Sequence, residues 1–587
     1  MDTFQTILTN QLRDALVSAG FAATAAEVTP ATDPRFGDYQ TNAAMVLAKQ
    51  RGENPRSIAG QIIAHFGAGE MVEAPSVAGP GFINFTLRSA AVAQKTVEIL
   101  KDERLGVPRT ESRKRIVVDF GSPNVAKPMH IGHIRSIVLG DALARIASFL
   151  GHDVIRDNHI GDWGTQFGMV IYGWKNLLDR QSLARDPIAE LVRVYKETNE
   201  RATQDLAVRE ACRQELVKLQ SGHPENLSIW KECVELSMQD FSRTYELLNI
   251  HYDLQHGESF YNDRLPGTVE QLVKSGIAEM SEGAVVVFFR DIPALADKPC
   301  IIRKRDGGFN YATTDIATVD YRVNDLKADA VWYVVGAPQI LHFKQIFEIA
   351  RREGYTADFR HIVFGSILGE DRKLMKTRSG ENVPLRDVLE EAIARARKIS
   401  EEKNPGLSEA DKIDIAQKIG IGAVKYADLS QYRMTDYIFS WDKMLSLQGN
   451  TAPYLQNAYV RIRSIFRKAD GAALPGRDQS PAGVSRPRSP VATTQQFILN
   501  ETAEIHLAKR LCQFAEVVPQ VLSDFRPNIL ANYLFELANT FHSFYEACPV
   551  LKADEPSRSS RLALCELTGR VLQHGLELLG IKVPERM

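Results

Sequence analysis

An α/β architecture is the expectation for this chain. A doubly wound, parallel-sheet domain should sit between a small α+β unit and a long all-α domain. Three stretches carry that expectation. A strand, a loop, a helix and a second strand follow one another over residues 115–156, which is the repeating unit of a doubly wound sheet. Strand-like runs return at 284–289, 330–335 and 361–368, after a charged stretch without strand pattern. From about residue 385 onward nearly everything has helical periodicity.

Composition narrows the classes. At 587 residues the chain is several times the ~150-residue length of an average domain, so more than one core is expected. Hydrophobic residues make up 44% and charged residues 25%, ordinary for a globular protein, and 39 glycines with 26 prolines exclude a collagen-like or wholly disordered chain. Lysine and arginine number 71 against 73 acidic residues, a net charge of −2, so any nucleic-acid surface must be a local patch. The cysteines (Cys212, Cys233, Cys300, Cys512, Cys548, Cys565) are scattered and form no C-x-x-C pair. That spacing speaks against a cysteine zinc site and against a disulfide framework. No apolar run reaches the ~18 residues of a membrane span, and the polar start lacks a signal-peptide pattern. A cytoplasmic location is expected.

The elements follow in order. Residues 1–108 read as the small mixed domain. An amphipathic helix over 3–19 places Phe4, Ile7, Leu8, Leu12, Leu16 and Val17 on one face. Helices at 42–51 and 56–66 follow, then a turn and strand at 79–87 and a charged linker at 101–114. The parallel-sheet domain spans 109–384. It opens with the apolar strand Arg115-Ile-Val-Val-Asp-Phe, as expected for a strand buried on both faces. A polar loop (121–129), a helix (130–150), a strand (152–156) and a Gly-rich turn (158–168) succeed it. Residues 178–250 read as a helical insertion. Residues 385–587 form the helical domain, interrupted at 471–491 by a Pro-rich segment expected to be a flexible loop.

Two motifs carry chemistry. His130-Ile-Gly-His133 stands where a loop enters a helix, so free N–H groups and a positive dipole end face any phosphate placed there. Gly132 leaves room for a flat base near the backbone. Both imidazoles can hydrogen-bond phosphate oxygens whose charge grows in a transition state. Two ordinary histidines at a helix start are the plainer reading of H-x-G-H taken alone. The second motif, Met375-Lys-Thr-Arg-Ser-Gly380, offers Lys376 and Arg378 to a pyrophosphate. By itself it reads more readily as a basic surface turn.

Together these stretches resemble one family. Ser122-Pro-Asn-Val-Ala-Lys-Pro-Met-His-Ile-Gly-His-Ile-Arg-Ser is similar to the first signature of class I aminoacyl-tRNA synthetases, and in detail to that of arginyl-tRNA synthetases. Lys-Thr-Arg-Ser-Gly resembles their form of the second signature. Asp157-Asn-His-Ile-Gly-Asp-Trp-Gly-Thr-Gln-Phe-Gly, Tyr311-Ala-Thr-Thr-Asp315, Leu341-His-Phe-Lys-Gln, Gly449-Asn-Thr-Ala-Pro-Tyr-Leu-Gln, Pro584-Glu-Arg-Met587 and Gly37-Asp-Tyr-Gln-Thr-Asn-Ala-Ala-Met are similar as well, in order along the whole chain.

The resemblance implies a Rossmann-type catalytic domain, an N-terminal domain that binds the tRNA corner, and a C-terminal anticodon-binding domain. It implies that arginine is activated by ATP to arginyl-adenylate and pyrophosphate, then passed to the 3′-terminal ribose of arginine tRNA, with activation dependent on that tRNA. No protein nucleophile is needed. His130, His133, Lys376 and Arg378 would serve the ATP phosphates, with Gly132 beside the base. Lys127 replaces the cation missing at Met375. Asp119, Tyr311 and Asp315 would hold the guanidinium, and Asn124 and Gln339 the α-amino group, with His130 alongside. A planar guanidinium binds carboxylates through paired hydrogen bonds that a lysine cannot reproduce. Phe82 and Asn84 would meet the tRNA corner, and Tyr454, Tyr545 and Met587 the anticodon. Asn457 departs from the family, which often has a second tyrosine there. The implied partners are arginine tRNA, ATP with Mg2+, and L-arginine. No zinc, organic cofactor or membrane is implied, and a monomer is expected. A non-catalytic tRNA-binding paralogue and another nucleotidyltransferase of the His-x-Gly-His superfamily are the alternatives.

Overall fold

The computed structural model describes residues 1–376, 382–470 and 497–587. Its centre is a parallel sheet of four strands in the order Asp358–His361, Ala330–Tyr333, Arg115–Asp119, Asp153–Asp157. The register aligns His361, Tyr333, Asp119 and Asp157 in one row across the carboxyl ends of the strands. Ligands of open α/β sheets bind outside that edge. Residues 116–119 are buried, as the apolar run predicts for a strand covered on both faces.

The first crossover helix, Ile131–Phe149, is buried on nearly every side. It packs so closely on the strand before it that a Cβ on Gly140 would lie 2.3 Å from the Phe120 ring, so only glycine fits. Arg135 of this helix pairs with Asp428 at 2.9 Å, and Asp141 with Lys425 at 3.6 Å, both against helix Glu409–Leu429. The sheet domain and the C-terminal helices therefore share one core.

The helical insertion is present as Arg180–Arg185, Pro187–Gln204, Leu206–Gln220 and Pro224–Leu248. Asp179, Asp186 and Asp205 start the first three, each accepting a hydrogen bond from a first-turn amide. The run at 284–289 does not rejoin the parallel sheet. The turn Glu282-Gly283, with φ of 49° and 82°, folds it back on Glu279–Ser281, and Cys300–Arg303 completes a separate antiparallel sheet. Part of the expected Gly-rich turn is helix Gln166–Asn176, and helix Ser89–Lys101 precedes the charged linker. In the first helix, Phe4–Ser18, Val17 lies outside the apolar face at 60% exposure, and Ala15 takes its place in the core.

The N-terminal unit has an antiparallel sheet ordered Thr29–Pro30, Tyr39–Thr41, Phe82–Phe85, Ser76–Ala78. Its Gly37-Asp-Tyr motif docks it on the C-terminal helices. Lys509 donates to Asp38 at 2.7 Å, and the buried Tyr39 hydroxyl donates to Glu516 at 2.9 Å. The C-terminal part is helical, as expected, apart from Tyr437–Ile438, which pairs in parallel with Ile367–Leu368. The segment at 471–491 lies outside the described residues. Among the described residues every cysteine is free and buried, and no helix is long and apolar enough to cross a membrane.

Candidate functional site

The loop 121–129 leaves the sheet at Asp119 in a strained path. Gly121, Ser122 and Ala126 have φ of 92°, 47° and 59°. A non-glycine residue held there costs roughly 1–3 kcal/mol, which surrounding contacts must offset. They are present. The amide of Gly121 donates to Ser136 Oγ at 2.8 Å, that of Ser122 to Asn158 Oδ1 at 3.1 Å, and that of Ala126 to Ser237 Oγ at 3.0 Å. Asn124 sits against Gly161, where any Cβ would meet its Oδ1 at 2.2 Å. Asn124 is exposed at the mouth of the site.

The loop delivers His130 as the cap of the helix. Its Nδ1 accepts the Gly132 amide at 3.1 Å, and its own amide donates to His133 Nδ1 at 3.1 Å. The His130 carbonyl also lies 3.2 Å from His133 Nδ1. The amide can only donate, so it fixes Nδ1 as an acceptor. The proton of His130 is therefore on Nε2, and at His133 the amide contact, shorter than that to the carbonyl, favours the same tautomer. The rings lie 4.0 Å apart. Burial lowers the pKa of His130, and burial plus the neighbouring His130 lowers that of His133 to about 4. Two neutral imidazoles thus present two Nε2–H donors at a helix N-terminus. A Cβ on Gly132 would meet the His130 ring at 2.9 Å, so the folded-back ring requires the glycine.

The second basic loop is anchored beside them. Lys376 bridges Asn382, and the Ile131 amide donates to the Val383 carbonyl at 2.9 Å. The Leu385 amide donates to Met129 at 2.8 Å. Lys376 is exposed at one foot of this loop. Arg378 lies outside the described residues. Lys127 is half-buried, with Nζ 5.2 Å above the Tyr195 ring of the insertion.

Acidic groups gather on the other side of the row. Asp119 is buried; its Oδ1 accepts from Ser122 Oγ at 3.1 Å and its Oδ2 from Arg322 at 2.7 Å. Helix Tyr311–Asp320 begins with Tyr311, 62% exposed, whose ring lies 4.9 Å from His342. One turn on, Asp315 Oδ2 meets His342 Nε2 at 2.5 Å. Gln339 is exposed in the turn after strand Ala330–Tyr333. One member was missed in the sequence, Glu258. Burial, then the charges of Asp315 and Asp162, push its carboxyl up to about 8. Asp162 is itself held by the Ser259 amide and hydroxyl at 2.9 and 2.6 Å. Among these groups Glu258 is a half-buried acid facing like charges, the arrangement that a cationic ligand relieves. The polar stretch Gly257-Glu-Ser was the only signal for it.

Two further surfaces take the other expected residues. Tyr545 and Met587 line one cavity of about 700 Å³ with Asn457, and Arg461, Lys468 and Arg586 supply cations to it. Tyr454 is one turn away from Asn457, its hydroxyl 2.6 Å from Asn539 Oδ1 and 2.8 Å from His542 Nδ1. Phe82 and Asn84 share one face of strand Phe82–Phe85. Phe82 is half-buried, whereas Asn84 is buried with Nδ2 lacking a partner.

Comparison with known proteins covers the chain in three blocks. Residues 3–87 match the arginyl tRNA synthetase N terminal domain, residues 95–441 the catalytic domain of class I tRNA synthetases (R), and residues 455–587 the DALR anticodon binding domain. The catalytic match runs past the boundary expected at 384. An arginine–tRNA ligase of Synechococcus elongatus is 45% identical, covering 98% of this chain and 99% of its own. That of Cellvibrio japonicus is 43% identical over 99% of both. The crystal structure of arginyl-tRNA synthetase from Plasmodium falciparum is similar with a TM-score of 0.84, and that from Thermus thermophilus with 0.82. Each is 27% identical and covered completely, as is this chain.

Proposed function

Because the chain belongs to the class I arginyl-tRNA synthetases and is an arginine–tRNA ligase, we propose how its residues divide the two steps. The arginine carboxylate attacks the α-phosphorus of ATP, and pyrophosphate leaves. The tRNA 3′-terminal ribose hydroxyl then attacks the arginyl carbonyl, and AMP leaves. Both steps are displacements helped by positioning and charge rather than by a protein nucleophile.

The observation that carries this reading is the pair of neutral imidazoles whose Nδ1 atoms are turned to backbone amides, with no partner for either Nε2–H among the described residues. They bind phosphate oxygens without having to lose a proton. Lys127, Lys376 and Arg378 supply the full positive charges that pyrophosphate needs as it departs. Magnesium enters with ATP, on phosphate oxygens and water. Tyr311, Asp315 and Glu258 receive the guanidinium, with Asp119 behind them. Asn124, Gln339 and His130 line the α-amino end. Every residue comes from one chain, so a monomer suffices.

For the RNA, we assign the 700 Å³ cavity to an unpaired anticodon base. Tyr545 would stack on it, and the surrounding cations would hold the backbone. At the tRNA corner we assign the contact to the half-buried Phe82, with the buried Asn84 on the same strand face behind it. Tyr545→Ala is expected to raise the KM for arginine tRNA by about 5- to 150-fold, from roughly 1–3 kcal/mol of lost stacking. The arginine and ATP KM values should stay within twofold. Aminoacylation kinetics check this, and an unchanged tRNA KM removes Tyr545 from the interface.

The deciding experiment is arginine-dependent ATP–pyrophosphate exchange with and without arginine tRNA. Exchange only with the tRNA supports the whole reading, including the tRNA-dependent site. Exchange with arginine alone removes that dependence. Absence of both exchange and arginyl-tRNA from folded protein leaves the non-catalytic paralogue.

Arginine binding should also follow pH. A guanidinium prefers the ionised Glu258, so the complex holds its proton less tightly than the free enzyme, whose value is about 8. The arginine KM is expected to fall as pH rises from 6.5 to 8, by at most about tenfold per unit, and to level off above. A KM that is flat or that rises over this window contradicts the assignment, and Glu258→Gln should abolish the slope.

A further inference from the structure

Arg322 has no part in the scheme above, yet it is fully buried beside the site. Helix Tyr311–Asp320 runs on into a wider π-helical turn, Tyr321–Asp325. Such turns often mark functional positions. Tyr311, Asp315, Thr318 and Arg322 follow at helical spacing, so they share one face. That face begins with exposed Tyr311, passes Asp315 and ends at Arg322. There the guanidinium meets the last residues of two neighbouring strands. Its Nη2 donates to Asp119 Oδ2 and to Asp157 Oδ2, both at 2.7 Å, and its Nε donates to Asp157 Oδ2 at 3.1 Å. The guanidinium carbon lies 5.1 Å over the ring of Tyr333, the next member of the row of strand ends.

Asp119 carries the connection onward. Its other oxygen accepts from Ser122 Oγ at 3.1 Å, and Ser122 is a left-handed residue of the signature loop. A continuous path therefore runs from the helix of Tyr311 and Asp315, through Arg322 and Asp119, to the loop that delivers His130 and His133. We propose that Arg322 is a positioning residue for amino-acid activation, which fixes the guanidinium-binding helix relative to the phosphate-binding loop.

The inference rests on the arginine reading above. The substrate joins the two sites through its own side chain: one end is held by carboxylates while the other must reach the α-phosphorus. A misplacement of about 1 Å between such sites can cost ~10²-fold in rate. A flexible side chain does not correct that error without giving up contacts at one end. Nη2 joins the two carboxylates while Nε holds Asp157 and the guanidinium lies over Tyr333, so its orientation is fixed; a lysine offers a point charge on a mobile stem without the Nε bond or the planar contact.

The test uses the full chain with arginine tRNA, with active sites counted by titration. Arg322→Lys is expected to raise the arginine KM and lower kcat for pyrophosphate exchange, each by about tenfold or more, with the ATP KM within twofold. Asp157→Asn should move both in the same direction by less, because Arg322 and Asp119 remain a balanced pair. A role confined to folding would lower the fraction of active sites and leave each KM unchanged. The proposal is overturned if Arg322→Lys keeps per-site kcat and arginine KM within twofold of wild type, or if the arginine and ATP KM values rise equally. If Arg322→Lys does not fold, Asp157→Asn decides by the same criteria. Wild-type protein that shows no arginine-dependent exchange would instead overturn the underlying assignment of function.

Discussion

Replacing Asp315 by asparagine is expected to lower kcat/KM for arginine by roughly 10²- to 10³-fold, with little change in the KM for ATP. The argument is one of unpaired charge. Asp315 stands on the inward face of its helix, 2.5 Å from His342 Nε2 and close enough to Glu258 to raise that carboxyl. Removing one partner of a desolvated ion pair costs about 3–5 kcal/mol, because the other charge stays behind without compensation. Asparagine keeps the volume and the hydrogen bond to His342, so packing should survive. The loss should appear mainly in the arginine KM, since the contact exists before the reaction as well as during it. Glu258→Gln should act in the same sense. The amide copies the protonated form of the acid, so its effect should be largest above pH 8, where the wild-type group is ionised. Steady-state exchange kinetics at saturating ATP and tRNA check both variants. An arginine KM within threefold of wild type for Asp315→Asn would remove it from the pocket.

This prediction also marks where the sequence was legible and where it was not. The strands 115–119 and 330–333 were readable because a parallel strand buried on both faces leaves an uninterrupted apolar run. His-x-Gly-His was readable because a helix cap, two imidazoles and a glycine that the folded-back ring requires fall within four residues. Glu258 left no such trace. It follows the helical insertion and reaches the pocket only because the short bridges Asp157–Leu254 and Ile160–Gly257 lay that segment along the sheet edge. Its chemistry comes first from burial and then from the charges of Asp315 and Asp162, distant in sequence. The run at 284–289 misled for the opposite reason. Its β-branched residues suit either sheet, and the two-residue turn at Glu282-Gly283 chose the antiparallel one. Asp119 matched an acidic position of the family, but its partner Arg322 lies over 200 residues on, and no spacing rule connects them.

The second large effect belongs to His133. His133→Asn is expected to lower kcat for pyrophosphate exchange by roughly 10²- to 10³-fold, as removal of one preorganised donor from a developing oxyanion does. Asparagine still offers an acceptor near the position of Nδ1, so the capping bond from the His130 amide can persist. What it lacks is the reach of Nε2–H. The donor matters most when charge builds on the phosphate, so kcat should fall while the ATP KM changes by a few-fold at most. His130→Ala should lose the donor and the cap together, adding about 1 kcal/mol of helix destabilisation. The wild-type pH profile supplies an independent check. Burial holds His130 below its ordinary value, and burial with the neighbouring His130 holds His133 near 4, so both rings are neutral at physiological pH and above. At saturating arginine, kcat should then show no titration near 6.5. A limb at that pH, with activity rising as protons are added, would mean that the imidazolium is the working form. A kcat for His133→Asn within threefold of wild type would mean that the buried ring caps the helix and does no more.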